Sequence, residues 1–275
     1  MSFKNKILYT LAKTIIKRNQ RYANLHEGES CYIIGNGASI KYCDLKNLSD
    51  KVAIGCNNLF VHRNLRDLNV KYYYTGHPFL YYPYWKNQYA NKYKKNTLGA
   101  LYKEKINLYK DISYFASISN YFGINGSNIN FVHHFDKPFG GYDRSRLDKE
   151  FTPMACALSG MLGLAIYMGF KDITLVGCDY AFFPQSQGHF FDYGKFPDTF
   201  HETPFNKEFL LDAMQHAKVR VITPNDGYRG HILPHISYEK FTGEKPVYQE
   251  NNEIVSNSDL LTLDRSGMLY KIFSE

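Results

Sequence analysis

Small and neutral residues, rather than carboxylates, gather where this sequence can do chemistry. Gly35-Asn36-Gly37-Ala38-Ser39 follows the apolar run CYII. Its two glycines let a ligand approach the backbone closely, and Asn36 and Ser39 offer hydrogen bonds without charge. Loop amides in such a turn can hold a phosphate or a nucleotide; a tight strand-to-helix turn is the alternative. Ile40 stands where a dinucleotide fingerprint has its third glycine, and no GxxxxGKS or GxxxxGKT loop occurs. Cys56-Asn57-Asn58 and Thr75-Gly76-His77-Pro78 end two further apolar runs, adding amides and an imidazole that suit a ribose and a base. Gly177 and Asp179 close the run ITLVGCD, where the carboxylate either orients a sugar hydroxyl or caps the next turn. The sequence has no DxD triplet and no HExxH motif, so neither a metal nor another cofactor is expected.

The elements that must position these residues are legible in the same runs. CYIIGNG, KVAIGCNN, KYYYTGHP, INFVHHFD, ITLVGCD and VRVITPN are short and apolar, and most stop abruptly at Gly, Asn, Asp or His, as strands do. Met154 to Met168, rich in Ala, Leu and Met, reads as a helix with Gly169 as its terminator before a strand at Asp172 to Val176. A second helix, Asn206 to Ala217, carries Phe209, Leu210, Ala213 and Met214 on one face and leads into Val219 to Ile222. The alternation predicts an α/β, Rossmann-like fold, a mostly parallel sheet flanked by helices, with its ligand outside the carboxyl ends of the strands. The irregular, aromatic stretch from about 181 to 205 reads as a lid over that edge. The organisation expected is a basic amphipathic segment over 1–30, a catalytic domain over 31–236 and an extension over 237–275.

A chain of 275 residues that is 44% hydrophobic can bury one substantial core. Its net charge of +7 suits an acidic partner: a nucleotide, an acidic glycan, an anionic membrane face or a nucleic acid. The charge is scattered rather than gathered with exposed aromatics on one face, which counts against nucleic acid. Five cysteines, an odd number with no CxxC pair, argue against a disulfide framework and a zinc site and fit a reducing cytoplasm. No apolar run is long enough to span a membrane, and the start lacks a secretory cleavage site. Phe3, Ile7, Leu8, Leu11, Ile15 and Ile16 nevertheless recur at helical spacing among lysines. Two readings stand: a peripheral anchor on the anionic inner face of the cytoplasmic membrane, or a helix docked on its own domain or on a twin subunit of a homo-oligomer.

The order of the motifs resembles one family. GNGAS, CNN, an LSG helix, GFKDITLVGCDY, His201 and TPN follow one another as in the bacterial lipooligosaccharide sialyltransferases of glycosyltransferase family 42, and as in related flagellin-modification proteins on the same core. The likeness runs from about Cys31 to Asn225. It implies a GT-A-like nucleotide-binding domain, a CMP-sialic acid donor, and metal-independent transfer with inversion. Gly35, Asn36, Gly37, Ser39 and Asn57 fall on its nucleotide-binding positions, and Pro224 and Asn225 on a Pro-Asn that ends a late strand. Ser159 and Gly160 lie near its Ser-Gly at a helix start, across a two-residue gap. His201 falls where the family places its general base, a role that suits an imidazole titrating near neutral pH; His133, His134 and His189 compete for it.

The departures bear on the donor. The family's two lid tyrosines, which stabilise the leaving phosphate, fall at Ala181 beside Tyr180, and at His189 with Tyr193 nearby, so an imidazole stands in for a phenol. An Asn-Pro pair becomes His77-Pro78, and an arginine before the Ser-Gly has no counterpart near Met154, with Arg144 and Arg146 farther upstream. These differences widen the expected donor to a CMP-nonulosonate of sialic, pseudaminic or legionaminic type, and the expected acceptor is a glycan of a bacterial surface polysaccharide or glycoconjugate. A non-catalytic nucleotide- or glycan-binding or flagellin-modification protein stays open as an alternative. So does a pyrophosphokinase-like enzyme, against which the missing carboxylate cluster counts.

Overall fold

The two-residue alternation of side chains along a strand divides each apolar run of this chain between two cores. The computed structural model describes residues 10, 12–82, 97–134, 139–151, 156–195, 198–199 and 207–269. In it β1 (Ser30–Ile34) sends Cys31 and Ile33 to one core and Tyr32 and Ile34 to the other. β2 (Val52–Cys56) divides Ile54 and Cys56 from Ala53, and β3 (Val70–Thr75) divides Tyr72 and Tyr74 from Tyr73. β4 (Ser113–Ser117), β5 (Ile129–Val132) and β6 (Asp172–Val176) follow the same rule. Strands buried on both faces read as unbroken apolar runs, which is why these segments stand out in the sequence.

Four two-residue strands lie outside the main sheet. β7 (Phe182–Phe183) pairs with β11 (Arg229–Gly230), and β8 (Gln185–Ser186) with β9 (Asp198–Thr199), both antiparallel. β10 (Lys218–Thr223) and β12 (His235–Ser237) complete an eight-stranded sheet in the order β12-β10-β6-β1-β2-β3-β4-β5. Every pairing in it is parallel. From β1 to β5 the chain builds outward in one direction; β6 then returns to the other side of β1 and the build reverses. The ends of β1 and β6 therefore flank a topological switch point, where open α/β sheets bind their ligands.

Helices cover both faces. α3 (Ala157–Tyr167) and α4 (Glu208–His216) put Leu158, Met161, Leu162, Phe209 and Leu210 into the core that holds Ile33 and Leu175. On the opposite face α2 (Thr97–Leu108) and α7 (Asn257–Arg265) bring Leu98, Leu101, Leu260 and Leu263 against Tyr32 and Tyr73. A nearly buried ion pair, Lys105 Nζ to Asp259 at 2.8 Å, ties α2 to α7. Between β12 and α7 lie α5 (Tyr238–Thr242) and α6 (Asn251–Ile254), whose Tyr238 and Ile254 join the same core. The chain is thus an α/β protein with a parallel, Rossmann-like sheet between two helical layers.

The N-terminal segment settles one of the two readings for the residues described. Over α1 (residues 12–17) Ile16 is fully buried and Ala12 nearly so. Asn19 follows, its amide donating to Phe131 O at 2.8 Å and Leu147 O at 2.9 Å, and Tyr22 meets Phe115 edge-on at 5.0 Å. Residues 12–22 dock on their own domain; Phe3, Ile7, Leu8 and Leu11 lie outside the described residues. Among the described residues no helix is long and apolar enough to cross a membrane.

Candidate active site

Both strands at the switch point leave the sheet through glycine. Gly35 N donates to Val176 O, and Gly37 N to Gly177 O, each at 2.8 Å. A methyl group at Gly35 would fall on the Gly177 carbonyl, and Gly177 takes φ +62°, a left-handed backbone that disfavours other residues. The two turns so formed are locked by Asp179. Its buried carboxylate accepts from the Ser39 amide at 3.0 Å and from the Ser39 hydroxyl. Burial pushes this carboxyl up to about 6, against the opposing pull of the Ser39 hydrogen bonds. Asp179 does not cap the turn that follows it in sequence; its carboxylate reaches across to Ser39, in the turn from Ala38 to Tyr42 after β1. Ser39, 2% exposed, braces the loop from behind.

In front of these turns lies a cavity of about 420 Å³, within the range of small-molecule sites. Its walls are residues 35–37, Cys56 and Asn57, the start of α3 with Cys156, Ala157, Leu158 and Met161, and residues 177–180 and 185–189. Asn36 Nδ2 donates to Cys56 O at 2.9 Å, while Asn36 Oδ1 and Asn57 Oδ1 are buried with no hydrogen-bond partner among the described residues. Unmet buried acceptors are unfavourable, so both oxygens are poised for donors on a ligand. Asn57 is held at φ +48°, a conformation that asparagine tolerates better than most residues. The amino end of α3 adds the positive end of a helix dipole and its first amides, a match for a phosphate. Ser159 and Gly160 stand behind this wall. The Ser159 hydroxyl donates to Cys156 O at 2.7 Å and accepts from Cys156 N at 3.0 Å, and Gly160 packs under the Tyr74 ring.

The described part of the 181–205 stretch is fastened to the site. His189 bridges to Gly37, and Phe190 N donates to Asn36 O at 3.1 Å. Lys41, buried, donates through Nζ to Asp192 O at 2.6 Å and Gly194 O at 2.8 Å, and Asn251 Nδ2 donates to Phe191 O at 2.9 Å. The His189 ring, a third exposed at the cavity wall, stacks on Phe191 with centroids 4.8 Å apart. Its Nδ1 lies 3.1 Å from Oδ2 of the fully buried Asp192, which also accepts from the His189 amide at 2.7 Å. Asp192 thus fixes the orientation of the His189 ring through Nδ1. Asp192 and Lys41 join the site without belonging to any motif recognisable in the sequence.

The remaining candidates are dispersed. Tyr180 stands at the cavity rim, 56% exposed, whereas Tyr193 is exposed and outside the lining. His77 is half-buried beyond β3, its carbonyl accepting from Asn120 Nδ2 at 2.9 Å, and burial holds its imidazole below the ordinary range. It does not line the cavity. Nor do Pro224 and Asn225, where Asn225 Oδ1 accepts from Gly227 N at 2.8 Å in a surface turn. His134 is half-buried, 3.4 Å from Tyr74 Oη, and pushed down to about 4 by desolvation; Arg146 pairs with Asp148 at 3.0 Å. His201 and Met154 lie outside the described residues. A wider, open groove of about 650 Å³ runs past Lys171, Asp172, His216 and Arg220, at the amino ends of β6 and β10. That is the edge of the sheet opposite the switch point, and its Arg220 is already paired with Asp172 at 3.0 Å.

No family model and no curated protein matches the chain. Among solved structures, a crystal structure of a variant of the sialyltransferase CST-II in complex with CMP is similar at 16% identity and a TM-score of 0.41. The likeness covers 86% of this chain and 98% of that one.

Taken as chemistry, the cavity offers a helix terminus for an anion, two amide oxygens for N–H or O–H donors, and an oriented imidazole, that of His189, in its wall. Among the described residues its one wall carboxylate, Asp179, is spent on Ser39. Among the described residues no three His, Cys, Asp or Glu side chains are grouped to hold a metal ion.

Proposed function

We propose that this chain is a metal-independent, inverting glycosyltransferase. In this reading it moves a nonulosonic acid of sialic, pseudaminic or legionaminic type from a CMP-sugar to a glycan acceptor. The observation that carries the reading is the convergence, at the switch point, of the 35–37 loop, Asn57 and the amino end of α3 around one cavity with His189 and Asp192 at its lid. The motif order that resembles family 42 supports the donor class.

The CMP phosphate lies at the start of α3, and the exocyclic amine of cytosine donates to Asn36 or Asn57. The acceptor oxygen attacks the anomeric carbon as the bond from that carbon to the phosphate oxygen breaks on the opposite face. The acceptor proton passes to His201, and the charge that develops on the leaving CMP is met by the His189 ring and by Tyr180 at the rim. Asp192 holds the His189 ring for that task.

The test is release of CMP from CMP-N-acetylneuraminate in EDTA, with and without a mixture of bacterial surface glycans. Wild type turns over, and His189→Asn and Asp192→Asn slow release by about two orders of magnitude, the scale of losing an oriented donor. Variants as fast as wild type would remove His189 from the chemistry. Absence of release together with absence of CMP binding would remove the transferase reading itself.

A further inference from the structure

The carboxyl edge of the sheet continues past the candidate cavity to the turns that leave β3 and β4. Residues 76–82 and 118–123 contain no Asp, Glu, Lys or Arg, in a chain whose residues are 21% charged. Both turns present aromatic rings to solvent: Phe122 is 89% exposed, Phe79 57% and Tyr121 40%. Contacts between the two turns hold them together. Phe79 takes φ +56°, a strained backbone for so bulky a side chain, and its amide donates to Ser119 Oγ at 3.2 Å. The Tyr82 ring lies 6.2 Å from that of Phe79, and its hydroxyl accepts from the Phe122 amide at 3.2 Å. A Cβ at Gly123 would press on the Tyr82 ring at 3.2 Å, so the glycine lets the two turns close on each other. Tyr121 meets both Phe122 and Phe131 edge-on at 5.2 Å.

We propose that Phe79, Tyr82, Tyr121 and Phe122 form a platform that receives neutral pyranose units of the glycan acceptor, an inference that rests on the transferase reading above. The face of an aromatic ring is apolar and carries negative charge density. It therefore stacks against the C–H face of a pyranose, while the hydroxyls of Ser119, Tyr82 and Tyr121 lie within the same patch for the sugar's own hydroxyls. A nucleic acid or an anionic lipid surface calls for cations, which neither turn contains. β3 and β4 are the second and third strands from β1. At about 4.8 Å per strand their ends lie about 10 and 14 Å from the glycine turn, within reach of a short oligosaccharide whose terminal hydroxyl enters the cavity.

Saturation-transfer NMR with lactose, cellobiose and methyl β-galactoside tests this, on wild type and on Phe79→Ala, Phe122→Ala and Phe122→Tyr. Thermal melts, CMP calorimetry and sedimentation with phosphatidylglycerol-containing vesicles run in parallel. The rings removed are exposed, so the melts should not move. Wild type binds at least one disaccharide, both alanine variants weaken it about tenfold or more, Phe122→Tyr keeps it, and CMP binding is the same in all four. Lack of binding of every sugar to wild type, or alanine variants that bind as well as wild type, overturns the platform. Loss of vesicle sedimentation without loss of sugar binding also overturns it and assigns the patch to a membrane. If CMP binding fails in wild type while the sugar results hold, the transferase reading falls and the sugar site stands.

Discussion

Asp179 closes on Ser39 with both carboxylate oxygens, one accepting the backbone amide at 3.0 Å and the other the hydroxyl. The contact joins the turn after β6 to the turn after β1 and so ties the two walls of the cavity at the switch point to each other. Since it is buried, the link carries a pH signature. Burial raises the folded carboxyl to about 6 from the ordinary 3.8, so the folded state holds the proton more tightly than the unfolded one. The stability this group adds is fully present below pH 3.8 and is lost as the pH rises through about 6. On a scale of about 1.4 kcal/mol per pH unit the loss is on the order of 3 kcal/mol. Asn at this position can still pair with Ser39 but does not titrate. Urea unfolding at pH 4, 5, 6 and 7 should show the advantage of wild type over Asp179→Asn shrinking across that window and flat above it. A constant difference would mean that the carboxylate does not titrate there.

The N-terminal segment gives a second expectation. The Asn19 side chain ties this segment to two buried carbonyls, those of Phe131 and Leu147. Asn19→Ala strands both, and chemical denaturation should register a loss of about 1–3 kcal/mol with CMP affinity unchanged. Unaltered stability would show that this segment is an appendage rather than part of the domain.

The thiols offer a third. Burial pushes Cys31, Cys43, Cys56, Cys156 and Cys178 all above the ordinary range, and of the five only Cys156 is partly exposed. Cys156 also lines the cavity. In native protein one thiol should react slowly with an aromatic disulfide reagent, and saturating CMP should protect it; the other four should react only on unfolding. Labelling of Cys156 at the same rate with and without CMP would place the nucleotide elsewhere.

How far the sequence foretold this arrangement depended on burial. The six runs expected to be strands are β1, β2, β3, β5, β6 and β10, each of which sends apolar residues into both cores. β4, SYFAS, lacks a β-branched residue, and β12 is a three-residue edge strand, so neither carries a signal. α2 mixes Lys, Glu and Asn with its buried Leu98, Leu101, Tyr102 and Ile106, a stripe that shows its spacing only once the boundaries are known. The helix expected from Met154 is seen from Ala157, which puts Cys156 at the cavity. The glycine turn was legible because Gly, Asn and Ser are the residues that end an apolar strand run and open a turn. Asp192 was not, since nothing in GHFFD tells which residue a tight turn folds back on His189; that turn is closed by the Asp192 amide on the His189 carbonyl at 3.0 Å. Pro224, Asn225 and His77 end strands as expected, but β10 and β3 end away from the β1/β6 gap and their turns face other ways.

The proposed general base supplies a fourth expectation. His201→Ala should leave CMP binding nearly intact while transfer falls by about two orders of magnitude or more. Full transfer by this variant would assign the proton to another group, with His189 next in line because of its place at the cavity wall.

The most direct test of the cavity as a nucleotide site is calorimetric titration of wild type and Gly35→Ala with CMP, CDP, UDP, GDP and ATP, in EDTA and again with magnesium. If the cavity holds the nucleotide of a CMP-sugar, wild type selects CMP in EDTA and magnesium adds nothing. Gly35→Ala, whose methyl group would fall on the Gly177 carbonyl, then loses the binding. Selection of another nucleotide, or binding that appears only with magnesium, would contradict the transferase assignment.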